Sequence, residues 1–185
     1  AILACASEEQ KASWLPAMAS GEAVVTLGLY DEANWIDPAA VTASAKPKDV
    51  GFVLQGKKPF VNDALAADYL LLAVQGPNGL ALAAVGKDQV TVTAQPTIDN
   101  TKPMASVDID GVEISASDLL PMSDEQLAFL TDCGGVATTA EMVGAGTAIL
   151  AMTNGYAKER IQFGKPIGQY QGVKHRLADM FVDLE

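Results

Sequence analysis

The sequence predicts an α+β protein: an antiparallel β-barrel or sandwich in the middle, with helices before and after it. Three observations lead there. Between Glu22 and Ser115 the chain breaks into short β-branched-rich or alternating runs separated by Gly, Pro, Asn and Asp, the texture of strands joined by turns. From Asp124 to Lys158 there is no proline and much Ala, Met, Leu and Glu, the texture of one long helix. Ahead of both, Ser7 followed three residues later by Gln10 matches a helix capping box.

The first helix starts at that box, carries Trp14, Leu15 and Met18 along one face, and ends at Gly21. Pro16 is expected to weaken its last turn. The strand candidates are "AVVTLGLY", "GFVLQG", "YLLLAVQ", "LALAAV", "VTVTAQ" and "ASVDIDGVEI". Ser123 or Asp124 can cap the long helix that follows. Its middle, "GGVATTAEMVGAGTAILAM", is apolar enough to raise a membrane question. Glu141 inside it, the lack of basic anchors upstream and the small residues favour instead a buried bundle helix or a subunit interface, with no membrane span. A further helix begins near Tyr170 and runs to the last residue. The expected segments are 1–21 helical, 22–120 strand-rich and 121–185 helical.

Composition narrows the function. Lys+Arg 12 against Asp+Glu 23 gives a formal net charge of -11 in 185 residues, so a nucleic-acid partner, which needs a basic face, is not expected. Cys5 and Cys133 lie far apart and beside no histidine at ligand spacing, which suggests neither a disulfide framework nor a zinc site. His175 is the one histidine, and it sits in a charged helical run unsuited to a catalytic triad. The opening "AILACASEEQKASWL" lacks an initiator Met and a signal-like run, and the chain closes in mid-helix; both ends read as cut.

Positive charge is scarce, yet five of the twelve cations, Lys158, Arg160, Lys165, Lys174 and Arg176, fall in and just after "YAKERIQFGKPIGQYQ". Arg160 closes the long helix, Phe163 and Gly164 leave it, Pro166 prevents its continuation, and Gln171 lies in the first turn of the next helix. A guanidinium fork, a flat ring and an amide suit a diphosphate-containing cofactor. The residues alone leave a second reading open, in which the cations complement the helix C-terminal dipole and Phe163 plugs the core.

This stretch resembles the Arg-x-x-Phe-Gly-x-x-Ile-x-x-x-Gln signature of acyl-CoA dehydrogenases. "SEEQKASWLPAMASGEAV", "GFVLQGKKPFVNDALAADYLLLAV" and "IDNTKPMASVDIDGVEISASDLL" are similar, in the same order, to that family's helix leading into the β-domain, its central hairpin and the end of its β-domain. The resemblance implies an incomplete N-terminal helical domain, a middle β-domain and the start of a C-terminal helical bundle. It also implies FAD as cofactor and a homodimer or tetramer. Arg160, Phe163 and Gln171, joined by Gln162, would then reach the pyrophosphate and adenosine end of FAD in a neighbouring subunit.

On the flavin-ring side the family has Leu-Thr-Glu-Pro followed by Gly-Ser-Asp, aligned here with "GLYDEANWID". Leu29 matches, Tyr30 replaces the threonine, Asp31 replaces the glutamate, and the Gly-Ser pair is missing. The Trp-Ile-Thr element reads Phe60, Val61, Asn62, where Phe60 can stack and Asn62 can donate a hydrogen bond. The acidic residue lining the acyl-CoA channel aligns with Asp132, the arginine after it with Gly135, and the base some members carry on this helix with Gly134.

No base can be nominated among these residues, so the resemblance implies an FAD-dependent acyl-CoA dehydrogenase present as a fragment that is itself inactive. In such an enzyme a carboxylate removes the α-proton of the thioester while the flavin accepts the β-hydride. The implied partners are an acyl-CoA substrate and an electron-transfer flavoprotein-like acceptor, in a bacterial cytoplasm. A non-catalytic or heteromeric partner subunit of the same fold, and a β-barrel binding module whose helical tail serves oligomerisation, are the rival readings.

Overall fold

The computed structural model describes residues 1–31 and 41–185. These form two compact units, Ala1–Leu130 and Thr131–Glu185, and the division falls inside the long helix.

The first unit opens with a single helical turn, α1 (Ile2–Cys5), and the helix α2 (Glu8–Ser20). The predicted capping box is present: the Ser7 amide donates to Gln10 Oε1 at 2.7 Å and the Gln10 amide donates to Ser7 Oγ at 3.3 Å. Gly21 ends α2 with φ 77, a left-handed value that glycine adopts without strain. Pro16 does not end the helix, which continues to Ser20; the proline removes one intrahelical bond near the C-terminus, where few remain to be lost.

Among the described residues ten strands follow: β1 (Val25–Gly28), β2 (Ser44–Lys48), β3 (Gly51–Gln55), β4 (Lys57–Asn62), β5 (Tyr69–Gly76), β6 (Gly79–Gly86), β7 (Thr91–Gln95), β8 (Met104–Asp108), β9 (Glu113–Ser115) and β10 (Leu119–Pro121). The larger sheet runs β10-β6-β5-β2-β3-β9 with β1 also on β5, and a three-stranded sheet runs β4-β8-β7. The protein is thus α+β, with a strand-rich half-barrel followed by long helices. Pairing is antiparallel except along one edge of β5. There β1 runs parallel to its first half, Val25 to Gly28 opposite Tyr69 to Leu72, and β2 meets its far end at Ser44 and Gln75.

The β5–β6 hairpin lies between two apolar layers. Leu70, Leu72 and Val74 face Leu54, Val61, Val107 and Ile109, whereas Leu71 and Ala73 on the opposite pleat pack with Ile2, Leu120, Met122 and Leu127. Burial on both faces is why "YLLLAVQ" and "LALAAV" read as continuous apolar runs and not as alternation. Each leucine so buried contributes about 1.5–3 kcal/mol relative to exposure.

Three strands lie outside the six runs read as strands: β4, which falls in the stretch resembling the central hairpin, β2 and β10. β2 is "SAKPK", polar and containing Pro47; it pairs with β3 along its length but with β5 at one residue only, so most of its other side is an edge that tolerates proline. β10 is three residues long and ends in Pro121.

β4 carries a bulge. Its pairing with β8 shifts between Lys58 and Val61, which sit opposite Val107 and Ala105, so Pro59 and Phe60 together face the single residue between. A regular strand would put Lys58 and Phe60 on one face and Val61 on the other. The extra residue resets the alternation: Lys58 and Val61 point inward, Phe60 and Asn62 outward.

α3 (Asp124–Glu159) starts at a second capping box, with the Ser123 amide donating to Gln126 Oε1 at 2.8 Å and the Gln126 amide donating to Ser123 Oγ at 3.2 Å. Gln126 Nε2 also donates to the Ala4 carbonyl at 2.5 Å, tying this first turn to α1. By length and composition alone α3 could cross a membrane.

The second unit holds the rest of α3, a tight hairpin of β11 (Ile161–Gln162) and β12 (Lys165–Pro166), and α4 (Gln171–Leu184). Val136, Met142, Ile149 and Met152 are all exposed on α3, so this chain itself does not supply the bundle or subunit interface expected around them. Two glycines mark close approaches within this unit. A Cβ on Gly146 would lie 2.7 Å from Leu184 Cδ2, and one on Gly168 would lie 3.0 Å from the Ala157 carbonyl oxygen.

Candidate functional site

Arg160 stands at the end of α3, its amide donating to the Tyr156 carbonyl at 2.8 Å and its carbonyl accepting from the Ile167 amide at 2.8 Å. The backbone is therefore fixed on both sides, while the guanidinium is exposed and has no ion-pair partner among the described residues. Gln162 and Lys165 face each other across a two-residue turn whose central residues, Phe163 and Gly164, have φ 51 and 81. Two successive positive φ values make this a turn of the I′ kind, which matches strand twist but suits Asn-Gly rather than a bulky first residue.

Phe163 in a left-handed conformation is strained, and its ring is 94% exposed, so burial does not offset the strain. The possibility that Phe163 plugs the core is overturned. Tyr170 braces the turn. Its hydroxyl donates to the Gln162 carbonyl at 2.9 Å, its ring meets Phe163 edge-on at 6.4 Å, and Lys165 Nζ lies 4.4 Å from its ring centre. Gln171, exposed, is the first residue of α4. A cleft of about 380 Å³ next to the hairpin is lined by Lys158, Lys174, Asn154 and Gln169, adding two more cations to this corner. The exposed guanidinium, ring and amides fit a dinucleotide: they offer donors for phosphate oxygens and a face for a base.

The other predicted residues lie in the first unit, where β1 runs beside β4. The Thr26 hydroxyl donates to the Asn62 carbonyl at 2.6 Å. Gly28 allows this approach: a Cβ there would sit 2.7 Å from Leu72 Cδ2 and 2.9 Å from Val61 Cγ2. Tyr30, Phe60 and Asn62 are exposed, and the bulge aims Phe60 outward. Leu29 and Val61 do not offer side chains to a ligand, because Leu29 is buried in the outer apolar layer and Val61 is fully buried in the inner one. For these two, only the main chain is available.

Behind this corner is an ion pair that sequence reasoning missed. Lys58 is fully buried, and its Nζ donates to Asp31 Oδ1 at 2.5 Å. Asp31 Oδ2 accepts from the Thr42 amide, from Thr42 Oγ1 at 3.1 Å and from the Ala43 amide at 3.1 Å. Burial works against the carboxylate, but the Lys58 and backbone hydrogen bonds outweigh it and hold the Asp31 carboxyl below its usual range. Burial also draws the Lys58 ammonium below the usual lysine range, with Asp31 opposing. Residues 32–37 of "GLYDEANWID" lie outside the described residues.

Asp132 is exposed on α3, and a Cβ on Gly134 or Gly135 would meet nothing within 4 Å. No group of three or more His, Cys, Asp or Glu among the described residues could hold a metal ion.

Comparison with known proteins agrees with the fold and with the motif. Residues 132–185 match the family model for the acyl-CoA dehydrogenase C-terminal domain. An acyl-CoA dehydrogenase of Bacillus subtilis is 29% identical over 199 residues, covering 100% of this chain and 52% of its own length. The acyl-CoA dehydrogenase IpdE2 of Mycolicibacterium smegmatis is 40% identical over 97 residues, 52% of this chain and 28% of the relative. The crystal structure of a glutaryl-CoA dehydrogenase from Mycobacterium smegmatis in complex with FADH2 superposes with a TM-score of 0.85 at 26% identity, over 99% of this chain and 49% of that one. The chain belongs to the acyl-CoA dehydrogenase family of flavoprotein oxidoreductases. It spans about half the length, or less, of the curated relatives it matches.

Proposed function

We propose that this chain is the flavin-holding portion of an FAD-dependent acyl-CoA dehydrogenase that carries out the α,β-dehydrogenation of an acyl-CoA thioester. Arg160 grips the FAD diphosphate, Phe163 presents its face to the adenosine end, and Gln162 and Gln171 add amide contacts, all toward a neighbouring subunit in a homodimer or tetramer. Around the flavin ring, the main chain of Leu29, Tyr30 and Val61 supplies hydrogen-bonding groups, Phe60 stacks and Asn62 donates. Asp132 faces the acyl-CoA.

FAD, when bound, accepts the hydride; the residues named here bind and orient, and none of them serves as the base. Electrons pass to an electron-transfer flavoprotein-like acceptor, and the working compartment is the cytoplasm.

The observation that carries this reading is a guanidinium without an ion-pair partner among the described residues, beside an aromatic ring exposed on a strained turn. Titration with FAD tests it. Arg160→Met removes charge-assisted hydrogen bonds worth about 1.5–3 kcal/mol, so FAD should bind at least about tenfold more weakly and with a smaller salt dependence. Unchanged affinity would sink the reading.

A second reading, a non-catalytic or heteromeric partner subunit, draws on the bare Gly134 and Gly135. Both readings expect the 185-residue chain to bind flavin without turnover, so acyl-CoA oxidation by it would exclude the partner subunit and assign the base to a residue not named above.

A further inference from the structure

We infer that Asp31 and Lys58 form a positioning pair that sets the flavin-ring corner, holding Tyr30 at a fixed place relative to Phe60 and Asn62. The inference rests on the proposed flavin function.

Because Pro59 and Phe60 share one partner position, β4 turns Lys58 inward and Phe60 outward within three residues. A lysine directed into an apolar layer is unfavourable unless its ammonium meets an anion there. The anion is Asp31, next in sequence to Tyr30. Its carboxylate is saturated: one oxygen takes Lys58 Nζ, and the other takes the amides of Thr42 and Ala43 and the Thr42 hydroxyl. Asp31 therefore has no lone pair to spare for a ligand, and it pins the chain after β1 to β4 and to the segment entering β2.

The second tie, from the Thr26 hydroxyl to the Asn62 carbonyl, joins β1 itself to β4. Two crosslinks between β4 and the stretch 26–31 fix both their separation and their relative rotation, where one would leave a pivot. A pair serving packing alone could be exchanged for apolar residues with little consequence, since buried ion pairs seldom add net stability over well-packed isosteres. What apolar residues cannot reproduce is the directional tie.

The test uses the whole chain carrying Asp31→Asn together with Lys58→Met. The introduced asparagine keeps an acceptor for the Thr42 and Ala43 amides, the introduced methionine keeps the length of the lysine stem, and no buried charge is left alone. The single variant Lys58→Met, which leaves Asp31 unpaired, serves as the destabilised control. In the double variant we expect an unfolding midpoint near that of the unsubstituted protein and a flavin absorption spectrum shifted away from it. FAD should bind about tenfold or more weakly, and amide hydrogen exchange at Tyr30 and at 60–62 should be faster in the flavin-free protein. A folded double variant that matches the unsubstituted chain in flavin spectrum, affinity and local exchange overturns the positioning role alone. Absence of flavin uptake by the unsubstituted chain overturns the proposed function, and the positioning role with it.

Discussion

Phe163→Asn should make the protein slightly more stable and a worse flavin binder, two effects of opposite sign from one substitution. A non-glycine residue in the left-handed region costs about 1–2 kcal/mol, and asparagine recovers much of this because its short side chain tolerates that conformation. Against the gain stands the loss of the edge-on contact with Tyr170 at 6.4 Å. For a ring 94% exposed this lies at the low end of aromatic pair energies, about 0.5 kcal/mol. The balance is a stabilisation of roughly 0.5 kcal/mol, which for a chain of this size raises the melting temperature by about 1–2 °C. Losing a ring that stacks on a base weakens binding by about 1–3 kcal/mol, a factor of about thirty near the middle of that range. Thermal unfolding followed by far-ultraviolet circular dichroism reads the first effect, and FAD titration reads the second. A variant that melts clearly lower than the parent would refute the strain argument, and one that binds FAD equally well would refute the role of the ring.

Gly51→Ala should destabilise the half-barrel by about 1–3 kcal/mol, because the added Cβ would lie 2.2 Å from the Ile114 carbonyl oxygen, a backbone atom that cannot swing aside; an unchanged urea midpoint would contradict this. The Asp31 carboxyl is held below its usual range in the fold. Its contribution is therefore complete above about pH 4, the unfolded value, and disappears as pH falls through the lower folded one. Stability measured across that acid window should drop more steeply in the parent than in Asp31→Asn with Lys58→Met; parallel curves would show that the carboxylate is not responsible.

What the sequence revealed follows from which signals are local. Capping boxes at Ser7 and Ser123 involve partners three residues apart, so both helix starts were legible. β5 and β6 were legible because burial on two faces leaves unbroken apolar runs. β2 and β10 were not, since edge positions admit lysine and proline. The apolar middle of α3 correctly signalled a helix but not its surroundings, because composition cannot tell a face covered by its own chain from one left open.

At the site, the motif singled out Arg160 and Phe163, but whether the ring lay inside or outside depended on a turn conformation that Phe-Gly does not advertise. The Asp31–Lys58 pair was hidden for two reasons. Its members are 27 positions apart, and "KKPF" looks like a solvated strand end until the bulge is known.

The irregularity in β4 also makes the strand editable. Because Pro59 and Phe60 together face one residue of the partner strand, losing position 59 would leave a regular ladder in which Lys58 and Val61 still meet oil and Phe60 and Asn62 still meet solvent. Proline suits the spot, having no amide hydrogen to be stranded where the ladder skips a rung. Position 59 is thus a place where this strand can lose a residue without exchanging its inner and outer faces.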